Sequence, residues 1–293
     1  MFGLRIGKRK NSNAAAGILG AESWMKYCRY APAFPLSDYV SCLWYSEGFA
    51  GTHSLERLLP NGEAGIVFDL REREFHGAAG EGVALDAPAV FCGARTDSFV
   101  LETSAQERVI GIQFRAGGAF PFLAMPVCEV SGAMYALEDA WGWEAGRLRE
   151  RLLDARGMRA MFGILEQALM ERFERGYALH PVVSFAVGQL SRVQDAARVA
   201  DVTAQIGMSA RRFGDLFREQ TGLTPKAFHC VRRFQQVLER LRGRRDENWA
   251  SLAADCGYYD QAHFIHDFRR FSGVTPGEYL LVATPHLNHL PLE

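Results

Sequence analysis

The chain has 293 residues, enough for two ordinary domains, and its 48% hydrophobic, 12% aromatic and 23% charged content leaves little room for extensive disorder. With 33 Lys plus Arg against 34 Asp plus Glu, no global basic field announces a polyanionic partner. Six cysteines (Cys28, Cys42, Cys92, Cys128, Cys230, Cys256) without a CxxC pair argue against a disulfide framework, while the lack of a signal-peptide stretch or of about 18 successive apolar residues argues against secretion and membrane insertion; a cytoplasmic protein is expected.

In chain order, residues 1–20 (MFGLRIGKRKNSNAAAGILG) are expected to form a flexible tail. From Tyr27 to Phe114, short runs such as YVSCLWYSEGF, AGIVFDL, APAVFCGA and RVIGIQF are rich in Val, Ile, Phe and Tyr and separated by Gly, Pro and Asn. That texture predicts strands in a sandwich or barrel. Pro60-Asn61-Gly62 predicts a tight turn before a strand, because Pro fixes φ and Asn and Gly tolerate positive φ. Glu138 to Gly176 reads as helix, with Gly157 separating two segments. Its apolar stripe from Met158 to Phe173 either covers the β-rich part or packs on a second copy in a homodimer.

His180-Pro181 closes this region, since the residue before Pro disfavours helix and Pro is well placed to begin one. The expected division is a tail (1–20), a β-rich sensor or dimerisation domain with trailing helices (21–177) and an all-α domain (178–285), in an α+β multidomain chain. Everything after Pro181 reads helical, broken at Gly207, Gly222, Gly243, Gly257 and Gly273. From His180 onward there are 14 basic residues, 13 of them Arg, against 12 acidic, and six Arg crowd into Arg232 to Arg245.

This helical part contains an internal repeat. VADVTAQIGMSARRFGDLFREQTGLTPKAF and NWASLAADCGYYDQAHFIHDFRRFSGVTPGEY share one order of small-apolar helix, Gly turn, polar start, two Phe, Gly, Pro and aromatic. Val202, Ala204, Ile206 and Gly207 match Leu252, Ala254, Cys256 and Gly257 at an offset of 50; Phe213, Phe217, Gly222, Pro225 and Phe228 match Phe264, Phe268, Gly273, Pro276 and Tyr279 at an offset of 51. Each feature suits a helix-turn-helix. Ala204, Ala253 and Ala254 are expected where the helices cross closely, Gly207 and Gly257 take the positive φ of the turn, and Ser209 and Asp260 cap the next helix. The Phe pairs face the core, and Gly222 and Gly273 end the second helices ahead of Pro.

Two tandem units of this kind point to double-stranded DNA as partner. The outward residues of each second helix are then the candidate readers: Arg211, Arg212, Asp215 and Arg218 in the first unit, and Gln261, His263, His266 and Arg269 in the second. Arg suits guanine or phosphate, Gln suits adenine and Asp accepts from cytosine.

GYYDQAHFIHDFRRFSGVTPGEY, with its GY, D-Q-x-H-F, F-R-R-F and G-V-T-P-x-x-Y elements, resembles the DNA-binding domain of AraC/XylS-type transcription regulators. The resemblance covers about 100 residues. It implies two units joined by a long helix, Pro225 to Arg242, with reading helices Ser209 to Thr221 and Asp260 to Ser272 in adjacent major grooves on one face of promoter DNA. Gly214 and Asp215 depart from the pattern, so the second unit is expected to carry more of the base reading. LPNGEAGIVFDL and FRAGGAFPFLAMPVCEVSG resemble the β-rich, cupin-like N-terminal domain of some of these regulators. That implies a small-molecule effector, with RNA polymerase and a second copy as further candidate partners.

His53 and His76 lack the spacing of a cupin metal cluster, so no metal and no cofactor are expected. Trp44, Tyr45, Phe68, Arg95 and Phe114 are candidates to line a pocket, with core packing the preferred reading for the aromatics among them. An N-terminal half that binds a protein partner is an alternative. A DNA-repair alkyl acceptor is another, but no reactive cysteine motif, G-x-S-x-G elbow, H-E-x-x-H pair or phosphate loop occurs, and no catalytic residue is assigned.

Overall fold

The computed structural model describes residues 26–48, 53–72, 87–123, 125–173, 178–192, 199–242 and 248–292. The tail at 1–20, His76, Gly243, Arg244 and Arg245 lie outside them, as does most of the junction before Leu179.

The Val-, Ile- and Phe-rich runs of the first half form strands: β1 (Lys26–Tyr30), β2 (Val40–Glu47), β3 (Leu55–Leu58), β4 (Gly65–Asp69), β5 (Ala89–Cys92), β6 (Phe99–Glu102), β7 (Arg108–Phe114) and β8 (Met134–Ala136). Six of them make one antiparallel sheet in the order β1-β2-β7-β4-β5-β8. The Pro60-Asn61-Gly62 turn precedes β4 as expected, with Gly62 at φ 75° and the Asn61 side chain accepting from the Glu63 N–H at 3.0 Å. Gly111, inside β7, makes room for the Trp44 indole, which a Cβ there would overlap.

Tyr45, Phe68 and Phe114 are buried in the core of this sheet, in keeping with packing, and Arg95 stacks over Phe99. Three helices follow: α1 (Leu137–Trp141), α2 (Trp143–Asp154) and α3 (Met158–Phe173), with Gly157 at φ 88° between the last two. Met161, Phe162, Leu165 and Leu169 of α3 are buried against the same chain, in one cluster with Leu43, Ile112, Phe114 and Leu148. The apolar stripe is therefore used within the chain and is not left for a second copy.

The second half is helical up to Val282: α4 (Pro181–Leu190), α5 (Val199–Ile206), α6 (Ala210–Thr221), α7 (Pro225–Leu241), α8 (Trp249–Asp255), α9 (Gln261–Ser272) and α10 (Pro276–Val282). Two apolar clusters form. One gathers Val183, Leu190, Val202, Phe213, Phe217 and Phe228; the other gathers Val231, Phe234, Leu238, Leu252, Phe264, Phe268 and Tyr279. Helix α7 contributes to both, so the long connecting helix is their common wall. Each fully buried Phe contributes about 1.5–3 kcal/mol relative to an exposed one.

Two expectations are corrected. The chain does not stay helical to its end: His289–Leu292 form β9, which pairs antiparallel with β3, giving a second sheet in the order β6-β3-β9. Pro291 is tolerated there because β9 is an edge strand. In addition, Ala204 and Ala254 face solvent, and of the three alanines only Ala253 is buried at the crossing. Val202 and Leu252, each two positions before those exposed alanines, supply the buried contacts. Among the described residues no helix is long and apolar enough to cross a membrane.

Candidate nucleic-acid interface

The local chemistry of the two units follows the repeat. Gly207 and Gly257 turn the chain at φ 71° and 72°. Ser209 caps α6 by accepting from the Arg212 N–H at 3.3 Å, and Asp260 caps α9 by accepting from the His263 N–H at 2.7 Å. At the far ends Gly222 and Gly273 take left-handed conformations, and their N–H groups return to the carbonyls of Arg218 and Arg269. A buried hydroxyl reinforces each end: Thr221 Oγ1 lies 2.8 Å from the Phe217 carbonyl oxygen, and Ser272 Oγ lies 2.7 Å from that of Phe268. These hydroxyls were not picked out from the sequence, although they sit at equivalent repeat positions.

With Phe213, Phe217, Phe264 and Phe268 buried, the opposite faces of α6 and α9 point outward. Arg211, Arg212, Asp215 and Arg218 are all exposed on α6, and Gln261, His263, His266 and Arg269 are all exposed on α9. The structure thus groups the eight candidates as two four-residue faces. Ala262, Ile265, His266, Arg269 and Arg270 line a shallow groove on α9.

His263 differs from its neighbours. Its Nε2 lies 3.6 Å from the Asp267 carboxylate, and its ring meets Tyr258 edge-on at 5.3 Å. Asp267 is buried and accepts from Arg233 Nη2 of α7 at 2.8 Å, while the Arg233 guanidinium stacks 4.1 Å over the Tyr258 ring. Burial pushes the Tyr258 phenol up, so it stays protonated and neutral beside Arg233. This network braces the second unit from within. Sequence reading missed Asp267 because an acidic residue on a helix is ordinarily solvated, and only its partner on α7, 34 positions earlier, gives it a buried role.

Residues 202–281 match a family described as a helix-turn-helix domain. The C-terminal part of this chain is an AraC-type helix-turn-helix domain. Residues 28–134 match a domain of unknown function, DUF6597. No curated protein matches the chain. Among solved structures, a transcriptional regulator from Chromobacterium violaceum, described as an AraC-type DNA-binding domain-containing protein, is 21% identical; the match covers 36% of this chain and 95% of that one, with a TM-score of 0.32. ToxT from Vibrio cholerae is 11% identical over 89% of this chain and 98% of its own, with a TM-score of 0.39. A structure of ToxT bound to an unsaturated fatty acid is 10% identical over 88% and 93%, with a TM-score of 0.37.

The AraC-type domain does not stand apart from the first half. A Cβ added at Gly222 would meet Ser131 at 3.1 Å and Val127 at 3.3 Å, so the end of α6 rests on the Val127–Val130 turn. Gly62 faces Phe228 and Val231 of α7, Arg232 lies 3.9 Å from Glu63, and Gln235 Nε2 donates to the Pro60 carbonyl at 2.7 Å. Arg57 Nη1 of β3 donates to the Ser272 carbonyl at 3.1 Å. The β-rich part therefore touches both outward-facing helices at their C-terminal ends and leaves their N-terminal halves open.

Proposed function

We propose that this chain is a sequence-specific, DNA-binding transcription regulator whose α6 and α9 read adjacent major grooves of promoter DNA. The observation that carries the reading is the pair of outward faces, Arg211, Arg212, Asp215 and Arg218 on α6 and Gln261, His263, His266 and Arg269 on α9, held by repeat-equivalent caps and buried Phe pairs. Gln261 and His266 offer hydrogen-bonding groups suited to base edges, and Arg211, Arg212, Arg218 and Arg269 suit phosphate or guanine. Residues 21–177 form the regulatory part in this reading and residues 178–285 the DNA-binding part.

The finer reading is that the β-rich, cupin-like part answers a small-molecule effector, with homodimerisation on DNA and contact with RNA polymerase as its working context. Its support is the contact of that part with both outward helices. Thermal-shift screening against metabolites separates an effector from a protein partner. For Cys92, Cys230 and Cys256, burial pushes the thiol up, away from the thiolate that an alkyl-acceptor role would need of them. Transfer of a labelled methyl group from alkylated DNA to the protein would restore that role.

The test of DNA binding is recovery of genomic fragments on the full chain, followed by titration at several salt concentrations. Recovery of a shared sequence and a steep loss of affinity with salt are expected, because Lys and Arg displace counterions from phosphate. A flat salt dependence, or fragments with no common sequence, contradicts the proposal.

A further inference from the structure

Strand β3 carries two charged residues in succession, and alternation along a strand sends them to opposite faces. On one face Glu56 is buried among Gln106, 2.8 Å away, His53 at 3.2 Å and His289 at 2.9 Å. These partners come from the turn after β6, the loop before β3 and β9, so they fix β3 between its two neighbours. On the other face Arg57 extends from this fixed strand to the end of α9.

Its guanidinium meets the carbonyl end of the helix, where unpaired acceptors and the negative pole of the helix dipole favour a cation. Gly273 makes the approach open: it takes φ 76°, and a Cβ there would overlap the guanidinium. The surrounding contacts hold the same joint. Leu59 is buried in the second unit's core, and Gln235 donates to both the Pro60 carbonyl and Asn288 Oδ1, the latter at 2.8 Å. At Gly222, the repeat equivalent of Gly273, the nearest atoms from the β-rich part are the Ser131 Cβ, a Val127 methyl and the Val127 carbonyl oxygen.

We infer that Arg57 is a positioning residue for DNA reading: it sets the orientation of α9 relative to α6 and so the groove spacing that the full chain accepts. It touches no DNA itself. The inference rests on the proposal that α6 and α9 both face DNA.

The experiment uses the full-length chain and a fragment recovered with it, in three versions: the native site and two sites whose contacted grooves are moved one base pair closer or further apart. One base pair turns the second groove by about 35° relative to the first, given 10 to 10.5 base pairs per helical turn. Wild type is expected to prefer the native spacing, and Arg57→Ala to reduce that preference by about tenfold, the scale of one hydrogen bond to a charged group. Arg57→Lys, which keeps a cationic donor, is expected to retain most of it. The salt slope stays unchanged in both variants, whereas a phosphate contact by Arg57 would lower it by about one.

A variant that is merely less stable loses active fraction without changing spacing preference, so wild-type preference in Arg57→Ala overturns the inference. So does a lowered salt slope, or a wild type indifferent to spacing. If Arg57→Ala does not fold, Arg57→Gln is read by the same criteria. A wild type that binds no fragment overturns the DNA-binding proposal, and the positioning role with it.

Discussion

In the first helix-turn-helix unit the C-terminal end of α6 rests on the side chains of Val127 and Ser131; in the second the end of α9 receives a guanidinium from Arg57. Inside the first unit the residue equivalent to Asp267 is Leu216, whereas in the second Asp267 is buried against Arg233. One repeat has thus been built twice with different bracing, apolar in one copy and charged in the other. Apolar contacts are tolerant of small rotations, while a bonded ion pair and a guanidinium on a carbonyl impose direction. The second unit is accordingly the one whose orientation is more sharply defined, and its outward face carries the more varied hydrogen-bonding groups.

The largest effect expected from breaking this comparison is in the shared part of the plan. Phe217→Ala and Phe268→Ala should each lower stability by about 3–5 kcal/mol in denaturant unfolding, since both side chains are fully buried. Asp267→Ala, which leaves Arg233 facing the interior without its carboxylate, should cost about 3 kcal/mol, while Leu216→Ala at the half-buried equivalent position should cost less.

Next comes the joint. Burial raises the Glu56 carboxyl, but hydrogen bonding and charge from His289, with Gln106 and His53, outweigh it and hold the group down at about 2 against an ordinary 4.5. A carboxyl depressed on folding contributes stability that is complete above its unfolded value and is lost as pH falls through its folded value. The contribution should therefore fade between about pH 4.5 and 2. In Glu56→Gln that part of the acid dependence should be absent from the pH profile of unfolding; an unchanged profile would remove Glu56 from the account.

A smaller effect sharpens the contrast in base reading. Substituting Gln261 and His266 by Ala should relax sequence preference by about 1–3 kcal/mol per base pair affected, more than Asp215→Ala does. The smallest is at the caps. Asp260→Ala and Ser209→Ala should each cost about 1 kcal/mol, with the Asp260 change the larger because its bond is shorter and its acceptor charged.

Much of this was legible in the chain because the repeat supplied its own control. A Gly turn, a capping residue, a Phe pair four apart, a terminal Gly and a Pro recur in order, and each has a local mechanical cause, so both units could be drawn from the chain, while the long α7 between them came only with the family resemblance. Strands β2, β4, β5 and β7 were legible for the same reason, as runs of β-branched and aromatic residues between turn formers. What stayed hidden depends on distant partners. LERL does not look like a strand, since Glu56 and Arg57 are charged; it becomes one because Glu56 is matched by His289, 233 positions away, and Arg57 by the Ser272 carbonyl, 215 positions away. NHLPL, with its Pro, carries no strand signal of its own, and it becomes a strand only through pairing with β3. Ala204 and Ala254 misled because small residues suit a close crossing equally well whether they face it or face solvent.

The most direct test of the central claim, that both units read DNA together from one face, is a footprint of the full-length chain on a recovered fragment. The account predicts two protected major grooves per monomer with centres about 10 to 10.5 base pairs apart. A single protected groove per monomer, or two separated by half a turn and so on opposite faces, would contradict it.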